Sequence, residues 1–376
     1  MAELGNVDGI KELFTSRIAS VYDVAVSTGR TALHYAVVYN QKKAVKFLLD
    51  QGADASQEDK QKDSATNIAW ERIYGKLADD EVSDAFGAMF TQDSDYFDNR
   101  NFTIFHKIVL GHNHSHLAQH LRLNKTIGID SQDANGRTPL SWAAARGDYN
   151  MTLQLLRAGA DPNIHGRDGR TALHWAAQSA GPVTLAALVR QNADVHHLCF
   201  MRRTALHHAA CNHNDKRYVE ILLDVDIDID ARDCHDRTAL GYATRKGHPE
   251  TTRYLLERGA NPAIPDNWNY CPLIEAARDT HHETLKCLVE SAEQRLRWDA
   301  RTNQGAGVLH VIAKHGNHET MTIIGLERCK SLNWISEDKL GRTPLQIVHE
   351  REKVCAKLKD AFEDMVRDTA GAALTP

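Results

Sequence analysis

The sequence predicts an all-α fold, a solenoid of helix–turn–helix units joined by β-turn fingers. Three observations carry that expectation. A seven-residue stretch returns at a near-constant interval, its residues suit a capped and closely packed helix, and glycine with turn residues follows at fixed offsets. The stretch is cleanest at Thr171-Ala172-Leu173-His174-Trp175-Ala176-Ala177. Good copies start at Thr31, Thr138, Thr204, Thr238 and Thr343, and weaker ones at Ser64, Thr103, Cys271 and Gly307. Successive starts are 33, 39, 35, 33, 33, 34, 33, 36 and 36 residues apart.

Each position in the motif has a physical role. Threonine suits a helix N-cap, where its hydroxyl accepts from a free backbone N–H. Pro139, Pro272 and Pro344 follow the cap, where proline sacrifices no helical hydrogen bond. Leu173 is core, and Ala176 and Ala177 are small enough for a second helix to approach. Gly147 and Gly247 end first helices in a conformation that glycine adopts at little cost. Second helices end in Leu48-Leu49, Leu155-Leu156, Leu222-Leu223 and Leu255-Leu256. Turn residues follow at Gly52-Ala53-Asp54, Gly159-Ala160-Asp161 and Gly259-Ala260-Asn261. Such a unit cannot bury its apolar face alone, so neighbours must stack.

A heptapeptide of this kind with a period near 33 resembles the ankyrin repeat over nearly the whole chain. The style of the array, as in Gly136-Arg137-Thr138-Pro139-Leu140-Ser141-Trp142, resembles the long arrays of filamentous fungi. The resemblance implies that a motif histidine hydrogen-bonds backbone between neighbouring repeats. It also implies that finger residues and first-helix ends line a concave binding face.

Residues 1–25 read as an N-terminal half-repeat, the end of one helix and a second helix around Ile10-Lys11 and Leu13-Phe14. Either this half-repeat is a cap or upstream sequence is missing. The repeat array is expected over 26–352, as about nine to ten units. Residues 26–58 form a good repeat, and the unit at Ser64 is degenerate. An acidic insertion near 71–98 holds eight acidic and two basic residues, a local charge of −6 that leaves the rest of the chain at +1. It is expected either as a solvated helix and loop or as a docking patch for a basic partner. Repeats from about Asp133 to Ile264 are regular, and those after Asp266 loosen. Residues 353–376 read as a C-terminal capping helix and a frayed tail.

Composition excludes several classes. A formal charge of −5 over 376 residues implies no general affinity for nucleic acid. The seven cysteines form no C-x-x-C pair and fit reduced thiols inside a cell, in cytoplasm or nucleus. No apolar run suits a signal peptide or a membrane span.

The 21 histidines invite a metal reading. His34, His106, His174, His207 and His310 belong to the motif, and His248 and His318 to inter-helix turns. His112, His116 and His120 have i, i+4, i+8 spacing beside His114, which could present imidazoles for zinc. His196-His197 near Cys199 and His213 is a looser set. No phosphate loop, nucleophile elbow or dinucleotide fingerprint occurs. The expectation is therefore no catalytic residue, no cofactor and no metal.

The leading functional expectation is a non-enzymatic scaffold, adaptor or regulator. The alternatives are a transcriptional co-regulator acting through a DNA-binding partner, and an enzyme or metal-binding protein using the segment near 112–120. Carried across the repeats, the resemblance places Arg137, Arg146, Arg167, Arg170, Phe200, Met201 and Arg203 on the binding face. His235, Arg237, Arg245, Lys246, Trp268, Tyr270 and Arg278 follow. The expected ligand is an acidic peptide or protein surface with apolar anchors. The simplest account of Arg137, Arg170, Arg203 and Arg237 is solvation, but it does not cover Phe200, Met201, Trp268 and Tyr270. Pathway and oligomeric state are not written in the sequence.

Overall fold

The computed structural model describes residues 2, 5–16, 18–75, 79–90, 100–111, 117–124, 126–325, 329, 332–351 and 356–372. These residues are helical, with isolated β-bridges at the finger bases Val24–Thr31, Glu58–Ser64 and Arg301–Gly307. The chain divides into two compact units. One comprises residues 1–167 with 179–184, the other 168–178 with 185–376.

The motif folds as its chemistry requires. Thr138 adopts an extended backbone, and its hydroxyl accepts the Ser141 N–H at 3.2 Å. Thr238 does the same for Gly241 at 3.2 Å. At Thr171 the cap becomes a reciprocal capping box with His174. Its hydroxyl lies 3.0 Å from His174 Nδ1, which also accepts the Thr171 backbone N–H at 3.3 Å. The hydroxyl donates its proton to the imidazole and keeps its lone pairs for the helix N–H. Pro139, Pro272 and Pro344 take the first helical turn. Leu173, Ala176 and Ala177 are buried. Gly247 closes its helix at φ 69°, a left-handed conformation that costs a side-chain-bearing residue about 1–2 kcal/mol.

In the first unit, helix Ala32–Val38 packs on Ala65–Tyr74, and Ile104–Val109 on Pro139–Ala145. Among second helices, Val7–Thr15 packs on Lys42–Asp50, which packs on Asp80–Met89, and Leu117–Asn124 packs on Tyr149–Arg157. Part of the acidic stretch is therefore the second helix of the degenerate repeat. Val82 and Phe86 bury one of its faces, while Asp80, Glu81 and Asp84 stay exposed. Residues 76–78 and 91–98 of that stretch lie outside the described residues.

The second unit repeats the pattern with longer runs. First helices stack in the order Ala172–Ala176, Ala205–Asn212, Ala239–Lys246, Pro272–Arg278, Val308–His315 and Pro344–Glu350. Second helices Lys216–Leu223, Pro249–Glu257, His282–Ala292, His318–Ile324 and Ala356–Ala372 stack beside them. Leu222, Leu255, Leu256 and Leu288 fill the space between the two layers. The capping-helix segment at 353–355 and the last residues, 373–376, lie outside the described residues.

Candidate functional site

The fingers are built on an aspartate. Asp133, Asp233, Asp266 and Asp338 each accept two backbone N–H groups, from the residues two and four further on, at 2.8–3.0 Å. This pre-forms the turn. Each finger then bonds the one before it through backbone. Cys234 N–H donates to Met201 O at 2.9 Å, Asn267 to His235 O at 2.9 Å, and Asn303 to Trp268 O at 3.0 Å. Phe200 donates to Asp168 O at 3.1 Å, and in the first unit Arg167 donates to Asn135 O at 2.8 Å.

The histidine expected to bridge repeats does so. His174 Nε2 lies 3.0 Å from Arg203 O, and His207 Nε2 lies 3.1 Å from Arg237 O. In the first unit His34 reaches Asp63 O and His106 reaches Arg137 O, both at 3.0 Å. With Nδ1 accepting from threonine, Nε2 must carry the proton, so the neutral ring is the bridging form. Burial lowers His174 and His207 to about 4.

The arginines beside the fingers depart from the simple expectation of solvation. Arg203 bonds Asp233 at 3.0 Å and lies over Tyr242, 4.9 Å from the ring centre. Arg237 is buried, bonding Asp266 at 2.5 Å and approaching Glu275 at 3.4 Å. Arg278 pairs with Glu275 at 2.7 Å and Asp279 at 2.8 Å, over Tyr270. In the first unit Arg137 pairs with Glu71 at 2.5 Å and covers Trp142. Arg146 donates to Tyr74 O. Arg170 is half-buried over Trp175 and 3.4 Å from Asp168. The reason is geometric, because a finger places its arginine beside the carboxylate of a neighbouring turn or helix. Arg167, in the first unit, is exposed.

These pairs set the electrostatics. Burial works to raise Asp233, but the Tyr242 hydroxyl at 2.7 Å, the two backbone N–H groups and Arg203 outweigh it and hold the carboxyl low. Burial of Glu71 is likewise outweighed by the Arg137 and Arg100 charges. At Glu275 burial prevails over Arg278 and Arg237, and its pKa rises. Burial pushes Arg146 down, against the pull of Asp148.

What remains open in the second unit is a set of apolar fingertips and helix-end cations. Phe200 is 68% exposed, Met201 42% and Trp268 47%. The His235 ring lies 5.3 Å from that of Trp268, and Met201 Sδ lies 3.9 Å from Cys234 Sγ. Arg245 and Lys246 are exposed, and the charge of Arg245 reaches Glu275 and Asp279 and works to lower both. Tyr270 is half-buried under Arg278. The sequence reading missed Asp133, Asp233, Asp266, Glu275 and Asp279. Its available signal was an aspartate four residues before the finger arginine and nine before a polar aromatic, as in Asp133, Arg137, Trp142 and Asp233, Arg237, Tyr242.

His112, His114 and His116 lie outside the described residues, while His120 packs edge-on against Phe105. Among the described residues, no three His, Cys, Asp or Glu side chains converge as metal ligands would. His197 bonds Gly169 O at 3.1 Å, and His213 stacks on Tyr218. No described helix is long and apolar enough to cross a membrane.

Comparison with known proteins matches a family model described as ankyrin repeats, in three copies, over residues 1–65, 105–197 and 180–266. The chain is 38% identical over 79 residues to the ankyrin repeat and KH domain-containing protein mask-1 of Caenorhabditis elegans, covering 21% of this chain and 3% of that protein. It is 32% identical over 163 residues to the palmitoyltransferase AKR1 of Naumovozyma castellii, covering 43% of this chain and 21% of that protein. The chain thus spans only a small part of these relatives. The crystal structure of the human ASB11 ankyrin repeat domain superposes at a TM-score of 0.53 and 22% identity, over 61% of this chain and 98% of that one.

Proposed function

The chain belongs to the ankyrin-repeat family, and from that premise we propose that it is a non-enzymatic scaffold, adaptor or regulator that binds a protein partner on its fingers and first-helix ends. Ankyrin repeats are generally protein–protein interaction modules. The observation that carries the finer reading is the exposure of Phe200 and Met201 on one finger and Trp268 two fingers further on, in repeats whose other large apolar residues are mostly buried. Exposed aromatic and methionine side chains are typical interface anchors. Exposed Arg245 and Lys246 add positive charge at the first-helix end, of which Arg245 also acts on Glu275 and Asp279, and this supports an acidic partner surface. Arg203, Arg237 and Arg278 contribute differently, because their ion pairs hold the fingers in place. The unpaired thiols, from buried Cys199 to exposed Cys234, fit a reducing compartment such as cytoplasm or nucleus.

The test begins with the intact chain as bait and mass spectrometry of what it retains. Calorimetry then compares Phe200→Ala, Trp268→Ala and the double reversal Arg245→Glu with Lys246→Glu. Each aromatic truncation is expected to cost at least about 1 kcal/mol of binding. The reversal should weaken binding and flatten its salt dependence. Unchanged affinity in all three, with the fold intact, would move the interface elsewhere.

A further inference from the structure

We propose that the junction between the repeats starting at Gly307 and Thr343 holds a binding cavity for a small neutral alcohol or phenol, whose hydroxyl takes the place of the threonine side chain that Gly307 lacks. The site lies within the second unit and is independent of the interaction reading above. A cavity of about 420 Å³ is lined by the first turn of helix Val308–His315, by the loop carrying Trp298 and by the loop carrying Leu332. That volume far exceeds a water molecule's share of the liquid, about 30 Å³. It falls within the range of small-ligand pockets, about 300–1,000 Å³.

Two departures from the regular repeat meet at this cavity. Gly307 stands where the motif has threonine. A Cβ placed on it would meet nothing closer than Ala300 O at 3.7 Å and His310 Nδ1 at 3.8 Å. The step from Gly307 to Thr343 is 36 residues, against 33 between the regular starts Thr138, Thr171 and Thr204. The histidine bridge is loose here. His310 is 2% exposed and its Nε2 has no hydrogen-bond partner, where His207 Nε2 has Arg237 O at 3.1 Å. The matching carbonyl, that of Arg342, acts on the ring without closing the bond.

The vacant place calls for a group that both donates and accepts. At Thr31, Thr103, Thr171 and Thr204 the hydroxyl lies 2.8–3.0 Å from Nδ1 of the motif histidine and keeps lone pairs for the helix N–H. His310 Nδ1 accepts the Gly307 N–H at 3.2 Å with no hydroxyl beside it, and the helix start has no side-chain cap. Burial lowers the His310 pKa, so the ring is a neutral acceptor. A ligand hydroxyl supplies the donor for Nδ1 and the acceptor for the helix. A carboxylate cannot donate, and an ammonium cannot accept.

The remaining walls select an uncharged, apolar body. Val308, Leu309 and Leu332 are apolar, and Trp298 Nε1 already donates to Glu293 O at 3.3 Å. The Ser336 hydroxyl donates to Asn333 O at 2.8 Å. Asp299 and Arg301 offset each other in charge, and Arg301 donates to Gly305 O at 3.0 Å and Glu337 O at 3.4 Å.

The probe is p-cresol, with toluene as its hydroxyl-free counterpart. Both are added to the whole chain and followed by ligand-observed NMR and calorimetry. p-Cresol is expected to bind, and toluene to bind at least about tenfold more weakly. Gly307→Thr puts the missing hydroxyl and a methyl group into the cavity. It should weaken p-cresol at least about tenfold, with a thermal melt no lower than that of the parent chain. Leu332→Phe fills the cavity from the loop before the next finger and should weaken p-cresol as well. Binding that survives both substitutions unchanged overturns the site, as does the absence of p-cresol binding to the parent chain at millimolar concentration. Equal binding of toluene and p-cresol overturns the role given to the hydroxyl.

Discussion

Histidine shows most clearly what single residues do here. His174 and His207 are held as neutral donors between repeats, with pKa values lowered to about 4. In the unfolded chain each returns to about 6.5. As pH falls below that value the unfolded state takes up protons first. The bridges' contribution is complete above about pH 7 and is lost progressively down to about pH 4, up to about 3 kcal/mol each. Chemical denaturation at pH 7 and pH 5 should show this loss, and His174→Gln with His207→Gln should reduce the pH dependence. A second residue class points the other way. Thr152 and Thr252 are fully buried, and their hydroxyls have no hydrogen-bond partner. Valine has the same branched shape without the polar atom, so Thr252→Val should raise stability by about 1 kcal/mol in urea denaturation. The histidine bridge was implied by the resemblance to the ankyrin repeat, which the motif carries. The orphan hydroxyls were not, because threonine at the second-helix position reads equally as a surface residue.

The finger is the element whose chemistry the sequence concealed. Its aspartate is obvious once seen, yet its partners come from distant parts of the chain. Asp233 holds Tyr242 nine residues on and Arg203 thirty residues back. Linear inspection shows an arginine near a turn and leaves its counter-charge invisible. Removing a buried partner strands the others, so Asp233→Ala should cost about 3–5 kcal/mol. Asp168 offers a comparison. It sits exposed on a finger whose base position is Gly166, and its carboxylate holds the Arg170 backbone N–H and guanidinium. Asp168→Ala should cost less than about 1 kcal/mol in the same measurement.

For the molecule as a whole, the period of the motif was enough to specify an all-α repeat array, and the heptapeptide was enough to place its first helices. The degenerate unit shows the limit. At Ser64 the cap survives and bonds Asn67 N–H at 3.1 Å, but Asn67 stands where the bridging histidine belongs. Its second helix carries the acidic residues that made it read as an insertion, because exposed charge on one face hid the buried Val82 and Phe86 on the other. Stability in such arrays is summed from neighbouring junctions. Amides of Ala239–Lys246, joined on both sides by fully bonded fingers, should therefore exchange with solvent more slowly than those of Ala65–Tyr74. Hydrogen exchange read by mass spectrometry at peptide resolution gives that comparison, and equal protection would contradict the junction argument.

The histidine bonds all run forward along the chain, and the finger-to-finger bonds all run backward. His174 lends its proton forward to Arg203, and Phe200 lends its own backward to Asp168. Each regular period thus carries one offer for its successor and one for its predecessor, so a donor and an acceptor stand at each of its ends. Copying or deleting a whole period, cut anywhere along its length, rejoins donor to acceptor in both senses. Cutting out half a period puts them out of register. The gene for such a chain can lengthen or shorten by whole turns of the repeat without relearning how to fold.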